Sequence, residues 1–122
     1  MVGDIGNLKE SEGCLSLITN EQGGILDDTV ITNAGNYIYM VVNGATKFDD
    51  MKHFQNQLHM STGLDVTMEY LEDSYQLLAL QGPGAANAIQ KLLPSSFNLT
   101  NMPFMTGTQT TIDGIPNCRI TR

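Results

Sequence analysis

The chain has 122 residues, six of them Lys or Arg and thirteen Asp or Glu, for a formal charge of −7. The length suits one domain. The acidity leaves no basic footprint for nucleic acid and disfavours anionic membrane surfaces. No run approaches the roughly 18 apolar residues of a membrane span. The opening Met1-Val2-Gly3-Asp4 has neither the basic start nor the apolar stretch of a secretory signal, nor the Arg-rich character of a presequence.

After a weakly patterned start, Cys14–Thr19 alternates and predicts a strand, and Asn20–Gly24 predicts a turn. Ile25–Asn33 predicts a second strand, Ala34-Gly35-Asn36 a short turn, and Tyr37–Val42 a third strand in hairpin with the second. Thr46 to Met60 is the best helix, with Thr46 as N-cap, Asp49 and Asp50 at its positive end, and an apolar face of Phe48, Met51, Phe54 and Leu58. Asp65–Leu71 and Tyr75–Leu80 read as further strands. A second helix is expected from Pro83 or Ala85 to Leu93, stopped by Pro94. Ser95–Met105 reads as loop, and Thr108–Asp113 with Asn117–Thr121 as a hairpin around Gly114-Ile115-Pro116. The fold class is therefore α+β, a mainly antiparallel sheet with two helices. The expected division is a strand-rich subdomain over 1–80 and the start of an adjoining one over 81–122. The chain stops on Arg119-Ile120-Thr121-Arg122 in what reads as mid-strand, and a piece of a larger protein is expected.

Chemistry-bearing residues are few. Cys14 and Cys118 lack any metal-ligand spacing and read as buried free thiols. His53 and His59 sit six apart, on different faces of the helix, and read as solvated. Gly82-Pro83-Gly84 lacks the ending of a phosphate loop. The feature that needs explaining is Asp27-Asp28, a pair of carboxylates opening a strand, where Asp is depleted. Successive strand side chains point to opposite faces, so one of the two faces inward. An inward carboxylate is either a satisfied structural acceptor or a catalytic group.

Four stretches carry a resemblance: Gly23-Gly24-Ile25-Leu26-Asp27-Asp28, Tyr39-Met40-Val41-Val42-Asn43, Leu77-Leu78-Ala79-Leu80-Gln81-Gly82-Pro83, and Met102-Pro103-Phe104-Met105 with Cys118-Arg119-Ile120-Thr121-Arg122. In this order and spacing they resemble the T-protein, or aminomethyltransferase, family of the glycine cleavage system. The resemblance covers essentially the whole chain and implies part of that family's folate-binding fold, ferredoxin-like with its neighbouring elements. It implies transfer of the methylene carbon from the aminomethyl-lipoyl arm of H-protein to tetrahydrofolate, with release of ammonia. It makes Asp27 the essential carboxylate, Asn43 and Val41 pterin contacts, and Leu15 an apolar wall under the ring. Tetrahydrofolate is the implied co-substrate and lipoylated H-protein the implied partner, with no metal. The wording around Asp27 and Met102 is closer to animal members, which implies the mitochondrial matrix; bacterial members are cytoplasmic. The family's earlier aromatic-rich folate motif and its later Gly-Tyr-Thr-Gly-Glu-type motif are missing, which implies weak folate binding and little turnover by these residues alone. Related readings are the folate domain of dimethylglycine or sarcosine dehydrogenases, an iron–sulfur assembly factor, and a non-catalytic product.

Overall fold

The computed structural model describes residues 1–122. Its first sheet has three antiparallel strands in the order β1 (Gly13–Thr19), β2 (Ile25–Asn33) and β3 (Ile38–Val41). Helix α1 (Lys47–Met60) follows, then the short α2 (Ala85–Gln90), then a separate hairpin of β4 (Gly107–Ile112) and β5 (Ile115–Thr121).

The turn between β1 and β2 is built by Asn20, whose side-chain oxygen accepts from Gln22 N at 3.1 Å and Gly24 N at 2.7 Å. This is the Asx geometry that makes Asn a turn residue. A Cβ at Gly24 would sit 2.8 Å from Asn20 Nδ2, and Gly23 has φ +80°, so the glycine pair of the motif is sterically required. The ladder then slips. Ile18 pairs with Asp27 while Thr19 pairs with Ile25, which leaves Leu26 as the extra residue of a bulge. The bulge sets the phase of β2. Asp27, Thr29 and Ile31 point to one face and are buried, whereas Asp28 on the other face is exposed.

The second face is divided. Near its Thr32 end it is covered by the β4–β5 hairpin: the Arg119 guanidinium lies 4.5 Å from the Tyr39 ring, and a Cβ at Gly107 would come within 3.4 Å of Thr32 Cγ2. Backbone bonds join the two parts there, Gly13 N to Met105 O at 2.7 Å and Gly107 N to Ser11 O at 2.9 Å. At its other end Leu15, Val30 and Val41 stand in one cross-strand row, and Leu15 is exposed. The hairpin closes through Asp113 and Gly114, both at positive φ, the two-residue turn that Asp-Gly favours. Behind it, Leu93, Leu99 and Met102 form a small core with Ile89, Phe97, Ile112 and Ile120 against them.

Three expectations are corrected. Asp65–Leu71 and Tyr75–Leu80 do not form strands: the 64–81 stretch has no regular secondary structure. A strand exists by pairing, and this stretch makes no ladder; its alternating Leu64, Val66, Met68 and Tyr70 are exposed. A turn at Leu71–Tyr75 and the Lys47–Glu72 ion pair with α1 shape it instead. Phe48 does not join the apolar face of α1 but is exposed, its ring beside the Lys47 ammonium. The second helix ends at Gln90, short of Leu93. The cysteines are free and half-buried. No helix is long and apolar enough to cross a membrane.

Ile31 is completely enclosed in the sheet, and Leu78 is 88% exposed. Ile31→Ala is expected to cost about 2–5 kcal/mol in urea unfolding, whereas Leu78→Ala stays within about 0.5 kcal/mol.

Candidate functional site

The site forms where β2 begins, β3 ends and α1 starts. Asp27 is 9% exposed and would be costly as an unpaired anion. Its carboxylate is well supplied with donors. Asn43 Nδ2 donates to Oδ1 at 2.9 Å, Thr46 Oγ1 donates to Oδ2 at 2.8 Å, and the Asn43 backbone N–H donates to Oδ2 at 3.3 Å. Charge-assisted bonds of this kind favour the ionised form. The Asn43 side chain is the largest influence on Asp27; burial opposes it, and Thr46 and the backbone amides reinforce it, so the pKa falls from 3.8 to about 2.

Asn43 Nδ2 also lies 2.8 Å from Asp28 Oδ1. One amide group therefore spans the two carboxylates at the strand end, one from each face of the sheet. The order of residues makes this possible. β3 ends at Val41, so Asn43 sits just past the ladder, and the tight turn to Thr46 brings the helix start beside it, with Thr46 N donating to Asn43 O at 3.3 Å.

Of the residues singled out in the sequence, Asp27 and Asn43 are brought together by direct hydrogen bonds. Val41 and Leu15 are brought together with each other through Val30, on the face opposite Asp27. Asn43 lies between the two groups: its side chain bonds Asp27 and also Asp28, which shares the sheet face of Val41. Two further residues were not singled out. Thr46 occupies the N-cap position, as expected, but its hydroxyl caps no helix N–H and is turned to Asp27. Asp50 reads in sequence as an acid favoured by the positive end of the helix, and it is 2% exposed. The only sequence signal for either was the helical offset of Thr46 and Asp50, which puts them on one face of α1.

At neutral pH the site thus presents a carboxylate that is fixed in place and firmly ionised. With a pKa near 2 it is a weak base. Its aptitude is to stabilise a positive charge developing near it.

The GCVT N-terminal domain profile matches residues 1–122, the whole chain. The chain is 40% identical over 125 residues to a human protein named mitochondrial aminomethyltransferase, and 40% identical over 126 residues to one of the same name from Dictyostelium discoideum. A relative of that name from the plant Mesembryanthemum crystallinum is 40% identical over 125 residues. Each alignment covers 100% of this chain and 30% of the relative. The chain belongs to the GCVT N-terminal domain family and spans under a third of the length of the relatives it matches.

Because the folded pKa of Asp27 lies below its ordinary value of 3.8, its stabilising effect is complete above about pH 4 and is lost as pH falls toward about 2. Asn43→Ala removes the largest cause of that shift. In urea titrations at several pH values, the wild type is expected to exceed the variant by a constant margin above pH 4, with the margin shrinking steadily between about pH 4 and 2.

Proposed function

We propose that this chain is the folate-facing part of a tetrahydrofolate-dependent aminomethyltransferase of glycine cleavage. The observation that carries the reading is Asp27: a buried carboxylate held ionised by Asn43 and Thr46, in a chain of the GCVT N-terminal domain family. The relatives' names, aminomethyltransferase throughout, favour this chemistry over other folate-binding reactions. Their mitochondrial designation supports placing the protein in the mitochondrion.

In the proposed reaction the donor is an aminomethyl group bonded to sulfur on the lipoyl arm of H-protein. Departure of ammonia and the thiol leaves the carbon bridging two nitrogens of tetrahydrofolate. The two protons lost from those nitrogens appear on the ammonia and the thiol. Positive charge develops at the carbon–nitrogen bond as the carbon is passed on. A fixed anion beside that bond lowers the energy of the charged state without needing to reorganise. Asp27 supplies such an anion. Its weak basicity assigns it to charge stabilisation and orientation of the folate nitrogen, with proton removal left to solvent or to the departing amine.

The row Leu15–Val30–Val41 offers an apolar shelf on the face opposite Asp27, and the Asn43 amide, two residues past Val41, bonds Asp27 and Asp28 from the strand end beside it. A pterin ring is flat, apolar on its faces and rich in donors and acceptors at its edge. It matches a shelf of this kind with an amide at the rim. Asn43 then serves two roles, touching the ring edge and aligning Asp27. In these 122 residues the shelf is open on one side, with Leu15 60% exposed. Weak tetrahydrofolate binding and little turnover are expected of the chain by itself.

The test is titration calorimetry with tetrahydrofolate alongside a transfer assay with aminomethylated H-protein, the latter also in a full-length relative carrying the matching substitutions. Asp27→Asn is expected to lower transfer by about a hundredfold or more, the loss typical of removing one preorganised electrostatic group. Asp28→Asn should lose markedly less. If Asp28→Asn proves the more damaging of the two, the assignment to Asp27 is wrong. Leu15→Asp should weaken tetrahydrofolate binding, and undiminished binding would remove the shelf from the site.

A further inference from the structure

The first turn of α1 carries two adjacent acids with opposite fates. Asp49 is exposed, while Asp50 is 2% exposed. Asp50 Oδ2 is enclosed and receives no hydrogen bond. A buried carboxylate in that condition is among the costliest arrangements a protein can hold. Its surroundings make it worse. Asp27 faces it from β2 and is itself ionised, Asp49 adds a second negative charge from the same helix, and only the Thr46 hydroxyl, on the same face, counters them. Lys47, the basic residue at the helix start, is paired with Glu72. The positive end of the helix favours an anion, but only as a fraction of a charge shared over the whole first turn.

Protonation resolves the conflict. An ionised carboxyl group only accepts hydrogen bonds, whereas a neutral one also donates. Thr46 lies one helical turn before Asp50 and already directs its hydroxyl to Asp27 Oδ2 at 2.8 Å, so this face of α1 is turned toward that carboxylate. We propose that Asp50 is a positioning residue of the Asp27 site: its carboxyl group stays protonated, donates a hydrogen bond to Asp27, and makes Asp27 the single anion of a two-carboxyl pair. Burial, and then Asp27 itself, push the Asp50 carboxyl above its ordinary 3.8, in keeping with this division of one proton between two acids. Asp27 then has side-chain donors from three residues, Asn43, Thr46 and Asp50, arriving from two directions. The charge available to a substrate is concentrated on Asp27 rather than spread over two repelling groups.

The assignment of Asp27 as the working carboxylate rests on the function proposed above; the shared proton does not. Carboxyl carbon NMR titration of the 122-residue chain reads the proton directly. Asp50 is expected to titrate above 3.8 and Asp27 below it. Because the folded pKa of Asp50 is raised, the stability it contributes is complete below about pH 4 and is lost as pH rises through the folded value. The stability of the wild type relative to Asp50→Asn should therefore grow on acidification from neutrality toward pH 4. Asp50→Asn keeps shape and a donor, so Asp27 should stay low in pKa. Asp50→Leu keeps the branched shape, though larger, and has no donor. It should move Asp27 upward and weaken tetrahydrofolate binding by at least about tenfold, the size of one hydrogen bond to a charged group. An Asp50 titration at or below 3.8, or a Leu variant that leaves Asp27 unmoved, overturns the proposal. Should the Leu variant not fold, the wild-type titration and the Asn variant's pH dependence decide. A raised Asp50 together with transfer indifferent to Asp27→Asn in the full-length relative supports the shared proton and overturns the folate reading instead.

Discussion

A single side-chain amide holds together the corner of this molecule where β2 begins and β3 ends. Asn43 reaches Asp27 at 2.9 Å and Asp28 at 2.8 Å from one nitrogen, and its backbone N–H adds a bond to Asp27. Those contacts join the start of β2 to the chain leaving β3. They also hold in place the turn from which α1 begins, since Asn43 O accepts from Thr46 N. Without this clamp two adjacent carboxylates would repel at the strand end, and the β2–β3 hairpin would open where its ladder stops.

The clamp makes sense of an otherwise awkward concentration of acid. Asp27, Asp28, Asp49 and Asp50 converge on one corner of a chain that already carries a charge of −7. Each is accommodated differently. Asp28 and Asp49 are exposed and hydrated, Asp27 is buried and bonded, and Asp50 is buried beside it. Burial and hydrogen bonding push the two inward acids in opposite directions. Pairs of titratable groups driven apart in this way are how a site separates the charge it needs from the charge it must suppress.

Much of the architecture was readable from the chain order. Alternation located β1, β-branched and apolar runs between turns located β2 and β3, the Asp-Gly step lay between the halves of the last hairpin, and Asp27-Asp28 stood out because carboxylates rarely open strands. The 64–81 stretch shows where pattern reading fails. Val66, Met68 and Tyr70 alternate as a strand should, but hydrogen bonding to a neighbour is a property of two segments, and this one pairs with none. Phe48 shows the same limit for helices: periodicity tells which residues share a face and not whether anything covers it.

Residue identity alone determined that one of two neighbouring carboxylates must turn inward, that Asn20 and two glycines would make the turn before them, and that a helix would start near Thr46. Tertiary structure decided which carboxylate it was. The bulge at Leu26 sets the phase of β2, and no local preference could reveal a one-residue slip against β1. It also decided that Thr46 and Asp50 belong to Asp27, because their common face of α1 acquires meaning only when β2 is brought against it. Local sequence governs turns and periodicities, whereas burial and shared protons depend on groups 19 or more residues apart in the chain meeting in space.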